Sequence, residues 1–159
     1  MMNRITVRVY GLLLNEQNEL LVSDELIRGS YFTKFPGGGL EWGEGTRDCL
    51  RREFMEEMGL KVEVGAHVYT TDYFQESAFR AGDQILSIYY AAKPLEAISV
   101  RLSNRPFDFE ESKLAAYKTS GEIETFRFIP WEALTVESVD LPIDRTVVKM
   151  ILDNPAILR

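Results

Sequence analysis

The chain has 159 residues, 45% of them apolar and 27% charged, an ordinary balance for a globular chain that reads as one domain over residues 1–159. A formal net charge of −7 excludes a general polyanion binder: duplex nucleic acid and acidic membrane surfaces are repelled, while a nucleotide-sized anion can bind where metal or a local basic patch neutralises it. Cys49 is the only cysteine and His67 the only histidine, which excludes an intrachain disulfide and any metal site built on several thiolates, so a bound metal would rest mainly on oxygen.

From the N-terminus, Met1 to Tyr10 alternates polar and apolar residues and lacks the basic head, apolar run and cleavage site of a signal peptide. No apolar stretch reaches the roughly 20 residues that span a bilayer, and a cytoplasmic protein is expected. Ile5 to Leu14 reads as a strand, Asn15-Glu16-Gln17-Asn18 as a polar turn and Glu19 to Ser23 as its hairpin partner. Tyr31 to Phe35 reads as a short strand before Pro36 and the turn-forming Gly37, Gly38 and Gly39. Thr46 to Met58 reads as a helix stopped by Gly59. Val62 to Thr71 and Gln84 to Ala92 are rich in β-branched and aromatic residues and read as strands, with a loop from Asp72 to Asp83 between them. Ser103 to Gly121 is polar and acidic without sustained apolar periodicity, so it reads as a long surface loop or a partly helical excursion. Ile123 to Ile129 reads as a strand, Pro130 to Leu134 as a short helix start, and Asp144 to Leu152 as a closing amphipathic helix. Strands grouped around one mid-chain helix and one C-terminal helix predict an α/β/α sandwich with a mixed β-sheet.

The mid-chain helix carries the chemistry. At about 100° per residue, Glu53, Glu56 and Glu57 fall within roughly 100° of arc. Leu50, Phe54 and Met58 recur at i, i+4 on the adjoining face and can anchor the helix to a sheet. Three like charges at that spacing destabilise an isolated helix, Arg51 and Arg52 offset part of this, and a divalent cation would offset the rest. Magnesium takes hard oxygen ligands and bridges carboxylates to phosphates, so the pattern suits it better than zinc. Taken alone, an acidic helix face is more often merely solvated, and a glycine run more often merely a turn. Their combination matters, because a glycine-rich loop leading into a helix lets backbone N–H groups approach phosphate.

The run from Gly38 through Glu44 to Arg52-Glu53-Phe54, Glu56-Glu57 and Gly59-Leu60 resembles the Nudix box, Gly-x5-Glu-x7-Arg-Glu-U-x-Glu-Glu-x-Gly-U with U a bulky apolar residue. All fixed positions match; Phe54 is aromatic where the Nudix hydrolase family, of MutT type, generally has an aliphatic residue. The Phe35-Pro36-Gly37-Gly38 approach and the later Phe128 to Leu134 stretch also look like the family. The resemblance implies Nudix pyrophosphohydrolase chemistry: cleavage of a phosphoanhydride bond in a nucleoside diphosphate linked to another moiety. It implies Mg²⁺ as cofactor, with Mn²⁺ as substitute, and a small nucleotide-like diphosphate as partner. Glu53, Glu56 and Glu57 are the implied metal ligands, and Arg52 orients a glutamate, Glu44 or Glu53. Glu44 is either a further metal ligand or the structural partner of Arg52. Gly37, Gly38 and Gly39 shape the substrate loop and offer a backbone carbonyl.

A general base outside the box is sought among Asp108, Glu110, Glu111 and Glu122, with Glu111 first, although acidic residues on a loop more often only keep it soluble. Trp42, Tyr73, Phe74 and Phe107 could stack on a base, yet aromatics more often fill cores. His67 and Cys49 read as structural. Positions that identify some branches of the family are held here by Glu76, Ser77 and Ala78, which match neither the ADP-ribose nor the diadenosine polyphosphate signature, and Glu25 to Ser30 does not resemble the coenzyme A motif. A catalytically silent Nudix-fold nucleotide-binding or regulatory module is the alternative, disfavoured by the intact glutamates. Isomerase chemistry on the same fold ranks last, because it wants a pocket cysteine. A homodimer stays open.

Overall fold

Asn15 shapes the first turn, its side-chain oxygen accepting from the amides of Gln17 and Glu19 at 3.0 and 2.8 Å. In the computed structural model, which describes residues 3–159, this turn joins β1 (Ile5–Leu13) to β2 (Glu19–Ile27); Met1 and Met2, the head of the N-terminal alternation, lie outside the described residues. The expected hairpin is corrected. Only Leu14 and Leu20 bridge across the turn, after which the strands part into different sheets. Each strand has a longer partner: β1 runs parallel to β6 (Gln84–Pro94) from Ile5 opposite Gln84 to Leu13 opposite Ala92. β2 runs antiparallel to β8 (Glu122–Pro130) from Glu19 opposite Pro130 to Ile27 opposite Glu122.

Each sheet has four strands and mixes parallel with antiparallel pairs. The first, ordered β4-β1-β6-β5, adds β4 (Gly37–Gly39) and β5 (Val62–Thr70); the second, ordered β3-β2-β8-β7, adds β3 (Ser30–Lys34) and β7 (Leu102–Ser103). Side-chain alternation along the strands separates two cores. Tyr10, Leu12, Leu20 and Val22 pack with Ile143, Val147, Val148 and Ile151 of α3 (Pro142–Asp153). Val9, Leu13, Leu21 and Phe126 pack with Cys49, Leu50, Phe54 and Met58 of α1 (Thr46–Met58). Helix, strands, helix is the layering expected from the sequence.

Several bounds differ from the expected ones. β2 continues four residues past Ser23, through the charged Asp24 and Glu25, because each has a partner within the fold. Asp24 is fully buried and accepts from Arg127 Nε at 2.6 Å, Thr33 Oγ1 at 2.7 Å and the Phe107 amide at 3.2 Å. Gly37–Gly39 forms a strand, where sequence reading expected turns alone. The polar stretch 103–121 contains α2 (Glu111–Ser120), which buries no residue and therefore shows no apolar periodicity. α3 starts two residues before Asp144, on Pro142, whose missing N–H is no loss in a first helical turn. Among the described residues no helix is long and apolar enough to cross a membrane.

The Asp24–Arg127 pair fastens the strand that carries Glu25. Arg127→Met leaves a buried carboxylate without its cation, and a loss of about 3–5 kcal/mol is expected from urea unfolding.

Candidate active site

Helix α1 lies between core and solvent. Cys49, Leu50, Phe54 and Met58 are buried, which leaves the Glu53 side chain 13% exposed at the helix edge and that of Glu56 58% exposed. Glu57 is partly buried. Gly59 takes φ 58°, the left-handed conformation, and its amide closes the helix on the Met55 carbonyl at 2.9 Å.

Arg52 holds the acidic groups in register. Its guanidinium donates to both oxygens of Glu44 at 2.9 and 2.7 Å, to Glu53 at 3.0 Å, to Glu56 at 3.2 Å and to the Gly39 carbonyl at 3.0 Å. The Glu41 amide adds a bond to Glu44 at 2.9 Å. These contacts pull the Glu44 carboxyl down to about 2, with Arg52 the leading cause and the Glu41 amide next. Both alternatives for Glu44 were open from sequence; in the structure both of its oxygens accept from Arg52. A Cβ at position 38 would collide with the Glu53 carboxylate, so a larger residue there would displace that side chain. The Gly37–Gly39 run pairs with β1, Gly38 opposite Val9, so it forms a rigid floor beneath Glu53.

A second acidic group, not anticipated from the sequence, completes the cluster. Glu25 of β2 stands opposite Glu124 of β8. Both follow the alternation that turns Leu21 and Phe126 toward α1. The Lys34 ammonium, fully inside the fold, pairs with Glu25 at 3.1 Å. Burial alone would lower that ammonium, and the charges of Glu25 and Tyr10 more than offset it, leaving it raised. Burial and then the Glu124 charge push the Glu57 carboxyl up to about 9, Lys34 opposing and Glu25 and Glu53 adding. Glu124 is pushed up to about 7 by burial and the Glu25 charge. Glu57, Glu124 and Glu25 therefore share one electrostatic neighbourhood with Lys34, and Glu53 acts on Glu57 and Glu124 from its edge.

Glu111, expected first as the base, lies exposed in the first turn of α2, and the residue of that helix whose charge acts on Glu124 is Lys113. Asp108 is bound by Arg101 at 2.9 Å. Reading β2 two residues further would have found Glu25 on a face otherwise turned to the core. Trp42 and Phe74 are exposed, Tyr73 meets Thr146 at 3.1 Å and Phe107 packs on Tyr31. His67 binds Thr70 at 2.7 Å. Burial pushes the Cys49 thiol up to about 12, which makes it a poor nucleophile.

The donor set tests which metal the site suits. Among the described residues no three Asp, Glu, His or Cys side chains form a ready cage; Arg52 and Lys34 stand among the carboxylates. The donors are oxygens throughout, which fits Mg²⁺ or Mn²⁺ and disfavours soft ions.

The family model described as NUDIX domain matches residues 2–150. Among solved structures, the ORF135 protein of E. coli is similar at 15% identity, over 96% of this chain and 92% of that one, with a TM-score of 0.68. A MutT protein from Methanosarcina mazei Go1 is similar at 16% identity over 97% and 98%, with a TM-score of 0.67. An ADP-ribose pyrophosphatase from Streptococcus suis 89-1591 is similar at 12% over 94% and 92%, with a TM-score of 0.56. Likeness at such identities concerns the fold.

Proposed function

Because the chain belongs to the NUDIX domain family, we propose that residues 1–159 act as one divalent-metal-dependent hydrolase unit, cleaving a phosphoanhydride bond of a nucleoside diphosphate linked to another moiety. The observation that supports this most is that Glu53 and Glu57 of α1 lie within electrostatic reach of Glu124, on the strand pair where Glu25 binds Lys34 at 3.1 Å. In this reading Glu53, Glu56 and Glu57 hold Mg²⁺ or Mn²⁺. When bound, the cation supplies neutralisation of the diphosphate and acidification of a water.

The remaining roles belong to the chain's own groups. Arg52 orients Glu53 and Glu56, and Glu44 fixes Arg52 by a two-pronged bond. Gly37, Gly38 and Gly39 keep the floor low enough for substrate to approach Glu53. In this reading Glu124, on the face of β8 that packs Phe126 against α1, accepts the proton of the attacking water on a carboxylate oxygen. Lys34 limits repulsion as charge accumulates. All these residues lie in one chain, so the reading does not require a homodimer.

Glu124→Gln is expected to lower kcat roughly a hundredfold, while Glu111→Gln stays close to wild type in the same assay. The reverse ranking would move the base to α2. The hydrolase reading itself is tested by product analysis with Mg²⁺ across nucleoside triphosphates, nucleotide sugars, dinucleotides and ADP-ribose. Metal-dependent cleavage of at least one class is expected; binding without cleavage of any would support a silent nucleotide-binding module instead.

A further inference from the structure

Beside the carboxylate cluster runs a groove of about 610 Å³ whose wall includes Glu25 and Lys34. Its far side is the tip of the segment between β5 and β6, which is internally fastened: the Ser77 amide bonds the Asp83 carbonyl at 2.8 Å, and Ser77 Oγ accepts from the amides of Phe79 and Arg80, each at 3.1 Å. The Gly82 amide donates to Glu76 at 2.7 Å. Phe79 and Arg80 are thereby held in the groove. Phe79 meets Phe32 of β3 edge to face, ring centroids 5.1 Å apart. Arg28, at the turn between β2 and β3, and Arg8 of β1 line the same space.

The lining of this groove carries four cations, Arg8, Arg28, Lys34 and Arg80, against two carboxylates, Glu25 and Glu122, and is net positive. Lys34 is paired with Glu25, and Arg80 reaches Asp83 only at 3.9 Å. Among the described residues, Arg8 and Arg28 have no carboxylate within ion-pair distance. Three guanidiniums therefore face one cavity in a chain of net charge −7, and Arg8 also lies within the electrostatic reach of Glu53. Volume, aromatic edge and positive charge together match a nucleotide.

We propose that this groove is the specificity subsite for the part of the substrate beyond the cleaved diphosphate, and that it selects nucleotides carrying three or more linked phosphates. The inference rests on the hydrolase reading above and narrows its substrate class. A nucleotide sugar or ADP-ribose extends a neutral sugar from its diphosphate and leaves the arginines unanswered. A further phosphate meets them through charge-assisted hydrogen bonds, and the base takes the Phe32–Phe79 edge. Arg28 and Arg80 are the specificity residues and Phe79 the base contact.

The test is calorimetric binding of ATP, inorganic tripolyphosphate and ADP-ribose to the full chain in EDTA at low salt, so that the arginines are read without metal and without turnover. ATP is expected to bind at least about tenfold tighter than ADP-ribose, and Arg28→Gln with Arg80→Gln to weaken ATP by about tenfold per arginine. Phe79→Leu is expected to weaken ATP and not tripolyphosphate, which has no base. Equal affinity for ATP and ADP-ribose, or wild-type ATP affinity in the double variant, overturns the subsite. Metal-dependent hydrolysis without preference for ATP sinks the subsite and spares the hydrolase; the expected binding pattern with no hydrolysis of any substrate does the opposite.

Discussion

Glu57→Gln is expected to lose roughly a hundredfold or more of kcat at limiting Mg²⁺ and to remain folded. Glu57 is the α1 carboxylate placed against the second acidic group: burial, Glu124, Glu25 and Glu53 all raise its proton affinity, and Lys34 is the one opposing neighbour of note. A neutral amide keeps the shape and removes the charge that would hold the cation. Without metal the raised Glu57 carboxyl already holds its proton, so a neutral amide replaces a neutral acid and the variant is expected to melt no lower than wild type. Thermal unfolding in EDTA beside kinetics at low Mg²⁺ separates these effects. A large loss of metal-free stability would make Glu57 the structural partner of Lys34; full turnover would remove it from the metal site.

The same electrostatics predict a steep pH dependence of metal binding. Glu57 and Glu124 hold their protons up to about 9 and about 7, above the ordinary 4.5. A raised carboxyl pKa means that the folded chain binds more protons than the unfolded one between those values. The stability of the metal-free protein should therefore fall as pH rises from about 4.5 through about 7 and on toward about 9. Cation binding must displace these protons, so affinity should climb with pH by up to about tenfold per unit for each proton released. Calorimetry in buffers of different ionisation enthalpy counts those protons, and the count should drop in Glu57→Gln. An Mg²⁺ affinity independent of pH between about 6 and about 9 would contradict the arrangement.

Much of the fold was legible because its periodicities are local. The strand read from Ile5, fully buried toward its end, and the i, i+4 spacing of Leu50, Phe54 and Met58 both appear in the structure. The box helix and its glutamates were equally legible, since α-helical geometry alone brings Glu53, Glu56 and Glu57 to one side. What sequence reading missed depends on pairing between distant segments. Glu25 and Asp24 look like the end of a strand until β8 supplies Arg127 for one and sets Glu124 opposite the other. Gly37–Gly39 reads as a turn because its strand character comes entirely from pairing with β1. The long acidic stretch drew attention to Glu111, yet a helix that buries none of its residues leaves no apolar signature of where it packs. Phe32 and Phe79, which sequence reading did not single out, meet only because β3 and the segment before β6 face one groove.

The carboxylate cluster around α1 as a divalent-metal centre is tested most directly by Mn²⁺ titration followed by electron paramagnetic resonance, comparing wild type with Glu57→Gln at one fixed pH. The free Mn²⁺ signal is expected to be suppressed by wild type and to persist at the same concentrations of Glu57→Gln. Equal suppression by both proteins, or by neither, would contradict the assignment.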